Sequence, residues 1–175
     1  MTLVGHKTEF MNPRIRLQIH LFLVAVLLNL IWEVAQIKAY DFPETSLMAV
    51  VIGCFVPSLG DGLMTLIIFW TGWAVFRDSR WILKPAVKGY VFMFVVGILL
   101  AVIVELNALY VTGAWEYNEQ MITIPVLGVG LLPLLQMIVL PPVTAALVQQ
   151  VWERLETENS SDTRYQKMKD QYGRR

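Results

Sequence analysis

Three carboxylates, Glu33, Asp61 and Glu105, stand in or at the edge of long apolar runs. An acid held within a bilayer is costly, so each marks a candidate site and calls for a partner. Asn29, Glu33 and Gln36, at i, i+4 and i+7, make one polar stripe on a helix face, which should turn toward protein rather than lipid. Glu105 and Asn107 close a later apolar run. Gln136 is the deepest polar side chain of the last run, between Pro133 and Pro141, where a broken helix would leave carbonyls free as partners. Trp32, Tyr110, Trp115 and Tyr117 fall at a similar level and offer aromatic faces that stabilise cations. The chemistry available to this set is acid–base. A carboxyl in an apolar pocket favours its neutral, proton-donating form and can protonate a carbon–carbon double bond, while a second carboxylate removes the final proton. Glu33, Asp61 and Glu105 are therefore the catalytic candidates. Asn29, Trp32, Gln36, Asn107, Tyr110, Trp115, Tyr117 and Gln136 are the ligand-binding candidates.

The elements that must position these residues are membrane helices. The chain has 175 residues, 56% of them hydrophobic and only 16% charged. Its mean hydropathy is +0.55, outside the balance of a soluble domain. Formal net charge is zero, so no excess of base suggests a nucleic-acid partner. Apolar runs at about 17–37, 89–109 and 126–148 each match the twenty or so residues that cross a bilayer. The first is too long for a signal-peptide core and is read as a retained anchor. Between 46 and 76 the apolar character lasts too long for one straight span, and Pro57-Ser-Leu-Gly-Asp-Gly62 reads as an interruption. The expectation is a span at 61–76, begun by Asp61, preceded by a re-entrant or interfacial segment at 46–56.

Loop charge supports that division. With four spans, the N-terminal stretch (Lys7, Arg14, Arg16), the 77–88 loop and the tail (Arg154, Arg164, Lys167, Lys169) share one side, and the 110–120 loop carries no Lys or Arg. By the positive-inside rule both termini are cytoplasmic and the acids face outward. Trp32, Tyr40, Tyr110, Trp115 and Tyr117 then collect near one interface, and Trp73, Trp81, Tyr90 and Trp152 near the other. The organisation expected is an all-α, four-helix transmembrane domain over 1–152, with a polar cytoplasmic tail over 153–175 that starts as a short helical extension and becomes solvated and partly disordered.

Other chemistries lack their residues. His6 and His20 are the only histidines and Cys54 the only cysteine, which excludes an intramolecular disulfide, a Cys-x-x-Cys pair and a bis-histidine haem at the acids. Gly128-Val-Gly130 lacks the remaining glycine and the strand of a nucleotide loop. No cofactor and no metal are expected.

Trp32-Glu33 with Gln36, Gly60-Asp61, Glu105-Leu-Asn107, Gly113-Ala-Trp115 with Tyr117, and Gly130-Leu-Leu-Pro-Leu-Leu-Gln136 together resemble a family of small, poorly characterised bacterial inner-membrane proteins. That likeness covers most of the chain and implies a polytopic protein of the bacterial inner membrane. A looser resemblance, over the last third of the spanning region, is to the membrane carotenoid cyclases of the heterodimeric lycopene type. There a helix ending in an acid precedes a Gly-x-Trp-x-Tyr loop and a Gly- and Pro-rich helix start, matched here by Glu105, Gly113, Trp115, Tyr117 and Pro133. The Pro-x-Glu-Glu pair of those enzymes is replaced by Leu135 and Gln136, so their catalytic acids are not carried over.

The function expected is binding or transformation of a lipophilic, isoprenoid-like molecule in an outward-facing acidic and aromatic pocket. Two other classes remain open: a small proton- or cation-coupled transporter, and a non-enzymatic assembly subunit that meets a membrane-protein partner or a second copy. The bland reading is that the polar residues glue the bundle together through interhelical hydrogen bonds.

Overall fold

A computed structural model describes residues 12–41 and 46–172, so His6 and Lys7 lie outside the described residues, as do the side chains of Lys167 and Lys169. Four helices carry the fold: α1 (Pro13–Gln36), α2 (Leu47–Phe76), α3 (Val87–Asn107) and α4 (Leu131–Tyr172). Each contains a stretch long and apolar enough to cross a membrane. The protein is an all-α, multi-pass membrane bundle.

Local chemistry sets the helix ends. Asn12 caps α1 by accepting the Arg14 N–H at 3.0 Å, with Pro13 in the first position, where its missing N–H costs nothing. Ser46 caps α2 by accepting the Ala49 N–H at 3.2 Å. At the other end of α2, Arg77 turns left-handed (φ 56°) and returns its N–H to the Trp73 carbonyl at 2.8 Å. α3 follows Pro85 and winds directly into a wider π turn, Ala108–Thr112, which Gly113 (φ 61°) ends.

Two sequence expectations change here. Residues 47–56 are not a separate re-entrant piece: α2 is a single helix of 30 residues, about 45 Å long at 1.5 Å per residue, and Pro57 sits inside it. A proline removes one helical hydrogen bond without forcing a break where surrounding groups hold the chain, and one turn of this helix is also tied by Ser58, whose hydroxyl donates to the Cys54 carbonyl at 2.7 Å. Asp61 therefore lies at the middle of α2 rather than at its start. The tail is likewise not disordered after a short extension, because α4 runs on as helix to Tyr172.

α1 packs on α2 and α4, α3 packs mainly on α4, and α2 and α3 approach each other less. Apolar surface drives little helix association in lipid, so close backbone approach and polar bonds do that work. Gly97 supplies one such approach: a β-carbon there would lie 2.5 Å from the Met137 carbonyl oxygen. That carbonyl is the one Pro141 leaves without a helical N–H, so proline in α4 and glycine in α3 make a matched contact. The tight apolar core, including Leu17, Leu21, Phe69, Trp81, Val148 and Trp152, fills the half of the bundle where α1 begins. Arg14 and Arg16 cap the Trp73 and Trp152 rings at that end, at 5.7 and 4.9 Å.

The opposite half is polar and closed by irregular chain. Tyr40 pairs backbone-to-backbone with Tyr117, and Asn118 Nδ2 donates to the carbonyls of Lys38 (2.8 Å) and Tyr40 (3.0 Å). A small loop from Ile122 to Leu131, closed by the Thr123–Gly130 bridge, leads into α4.

Candidate functional site

Gln136, only 2% exposed, is the hub. Its Nε2 lies 2.8 Å from Asn29 Oδ1, 3.0 Å from Glu33 Oε1 and 2.7 Å from Asp61 Oδ2, so α4 reaches α1 and α2 through one amide. The direction of these bonds is fixed from outside. Trp32 Nε1 can only donate, and it donates to Gln36 Oε1 at 2.9 Å, which turns the Gln36 amide group toward Glu33 Oε1 (3.0 Å) and Gln136 Oε1 (3.2 Å). Gln136 must then present its NH2 to the acids. Two hydrogens face three acceptors, so at any moment one of Asn29, Glu33 and Asp61 goes without. The Glu33 and Asp61 carboxyls are also within hydrogen-bonding reach of each other, and such a bond forms only when one of them carries a proton.

Glu105, 5% exposed, is held by a second set. Both of its donors reach Oε2: the Trp115 indole N–H at 3.3 Å and the Tyr117 hydroxyl, in a short contact. Trp115 and Tyr117 share a side because alternate residues of extended chain do. The Tyr117 oxygen in turn accepts the Gly130 N–H at 2.9 Å, linking the end of α3 to the start of α4. A β-carbon at Gly130 would lie 2.8 Å from the Met121 sulfur and 3.0 Å from the Tyr117 hydroxyl, so the close approach favours glycine there. Tyr40 meets Tyr117 edge-on, with centroids 5.5 Å apart. Burial, aided by the Glu105 charge, pushes both phenols above their ordinary range, so they remain protonated donors.

Between the two sets lies a cavity of about 570 Å³. Glu33, Asp61, Glu105, Gln36, Trp115 and Gln136 all line it. Asn29, Trp32 and Tyr117 stand behind that lining and orient it. The structure does not bring Asn107 or Tyr110 to the cavity: both side chains are exposed, Tyr110 by 68%. Two residues of helix turn about 200°, so an inward Glu105 sends Asn107 outward, and the π turn that follows changes the phase again before Tyr110 is placed. Sequence reasoning missed Tyr40 and Asp41 at the mouth and Gly53, Pro57 and Gly60 along α2, all of which line the cavity. Had α2 been read as continuous, 53, 57, 60 and 64 would have marked that face by their helical spacing.

Among the described residues, no basic side chain lines the cavity. Among the described residues, no three His, Cys, Asp or Glu side chains are grouped to hold a metal ion. Comparison with protein-family models, with curated proteins and with solved structures finds no match.

Proposed function

We propose that the cavity binds, and through its acids transforms, a lipophilic isoprenoid-like molecule in the bacterial inner membrane, with both termini cytoplasmic and the cavity toward the outer side. The observation that carries this is the cavity itself: three carboxyl groups converge on space large enough for a small ligand inside an apolar bundle, with no base among the described residues to neutralise them.

The chemistry that fits is proton transfer without net redox change. The protonated member of the Glu33 and Asp61 pair gives its proton to one carbon of a double bond, and the neighbouring carbon becomes cationic. The aromatic faces of Trp115 and Tyr40, both lining the cavity, stabilise that cation. Glu105 then takes a proton from an adjacent carbon, a new double bond forms, and the ligand leaves isomerised or cyclised. The looser likeness to carotenoid cyclases points to the same substrate class.

Mass spectrometry of the organic extract from protein purified in native lipid nanodiscs tests the reading. An isoprenoid lipid enriched with wild type and missing from the Glu33→Gln, Glu105→Gln double variant is the expected result. Bulk phospholipid alone in both would reject it. The close Glu33 and Asp61 carboxyls also favour a second reading, a proton-coupled carrier; proton-driven uptake into proteoliposomes that Asp61→Asn leaves intact would remove it.

A further inference from the structure

Gly60 has no packing reason to be glycine. A β-carbon there meets nothing within 4 Å, whereas one at Gly62 would lie 2.6 Å from Val26 and one at Gly97 2.5 Å from a backbone oxygen. Glycine inside a helix is unfavourable by roughly 0.5–1 kcal/mol relative to alanine, so an unpacked one calls for another explanation. Its position supplies it. Val56, Gly60 and Leu63, at i, i+4 and i+7, are exposed and form a lipid-facing stripe of α2. Gly53, Pro57, Gly60 and Met64 form the stripe that lines the cavity. Gly60 belongs to both, at the seam where α2 faces α3. Gly53, exposed as well, continues the opening toward exposed Asp41 and Ala114 at the rim.

The polar atoms left uncommitted in this space are mostly acceptors. The amide hydrogens of Gln36 and Gln136 and the Trp115 N–H are spent on the acids and on each other. Glu105 is 95% buried and lines the cavity, yet among the described residues no hydrogen bond reaches its Oε1. Pro57 offers no N–H to the Gly53 carbonyl one turn before it, and Asp41 adds a carboxylate. Among the described lining residues, the Tyr40 hydroxyl is the one side-chain hydroxyl, and it is uncommitted.

We infer that the cavity opens sideways into the bilayer through a slot between α2 and α3 with Gly60 as its sill, and that it admits a lipophile whose polar end is a hydrogen-bond donor, a hydroxyl or protonated amine. A phosphate or carboxylate end is disfavoured, because apart from the Tyr40 hydroxyl and the Cys54 thiol it would meet carboxylates and acceptors. This rests on the reading of the cavity as a lipophile site and specifies its entry route and the ligand's polar end.

The test is photolabelling of the whole protein in nanodiscs with diazirine-bearing dodecylamine, dodecanol and dodecanoic acid, with labelled residues mapped by mass spectrometry. The amine and the alcohol should label the facing segments of α2 and α3, and the acid about tenfold less, the discrimination expected when a buried polar group is left without a complement. Labelling should fall from the wild type through Gly60→Leu to Gly60→Trp, with melting temperature followed for each. Equal labelling by the acid overturns the donor-ended ligand. Undiminished labelling of a folded Gly60→Leu or Gly60→Trp overturns the slot. If no probe labels the cavity of the wild type, the lipophile reading itself fails, which distinguishes that failure from the other two.

Discussion

At the scale of single residues, Gln136 differs from ordinary bundle glue in serving more acceptors than it has hydrogens. Each interhelical hydrogen bond in a membrane contributes modestly, but removing a hub leaves several buried groups without partners at once. Gln136→Leu should therefore lower stability by about 2 kcal/mol, read as a lower melting temperature in detergent; an unchanged melting temperature would mean that the acids find other donors. The phenols of Tyr40 and Tyr117 give a pH dependence whose sign is fixed. Their folded-state ionisation is pushed above the ordinary phenol range. Near pH ~10 the unfolded chain releases these protons while the folded protein keeps them. The unfolded state then binds fewer protons, so stability holds below that pH and falls as pH rises through it. Thermal melts across the alkaline range check this, and in Tyr117→Phe the alkaline loss should be smaller.

Elements contribute through their unusual residues. α2 holds Pro57 in mid-course and α4 holds Pro141 and Pro142, yet both remain helical; the carbonyl that Pro57 frees belongs to Gly53 on the cavity wall, and the one that Pro141 frees lies against Gly97. The two glycines on facing helices have opposite purposes, which substitution separates. Gly97→Ala drives a methyl into the Met137 carbonyl and should cost about 1–3 kcal/mol of overpacking. Gly60→Ala should be neutral or raise stability by up to about 1 kcal/mol. Equal losses at the two sites, measured by thermal unfolding in one detergent, would contradict the distinction. Val126, fully exposed with φ 75° at the tip of the loop before α4, is strained for a β-branched residue, and nothing in the structure explains its choice.

For the whole molecule the consequence is polarity along the bundle axis. The apolar core and the arginine-capped tryptophans occupy one end, the acids, phenols and cavity the other. With the basic end cytoplasmic, Glu119→Cys in a Cys54→Ala background should react with a membrane-impermeant maleimide added to intact spheroplasts, and Ser79→Cys only after lysis. The reverse pattern would invert the protein and place the cavity on the cytoplasmic side.

The sequence by itself determined the number of apolar helices, the partition of the aromatics and the three acids, because hydropathy is local and a buried carboxylate is conspicuous in an apolar run. It also marked Gln36, Trp115 and Gln136, which line the cavity together with those acids. Only the tertiary structure decided the rest. Whether Pro57 ends a helix depends on what surrounds it, so α2 was divided in the sequence and is continuous in space. Once packing turns Glu105 inward, Asn107 two residues on points away, and the π turn that follows shifts the phase again before Tyr110. The order in which Trp32, Gln36 and Gln136 pass their donors to the acids spans residues a hundred apart in the chain, and it exists only where α1, α2 and α4 meet.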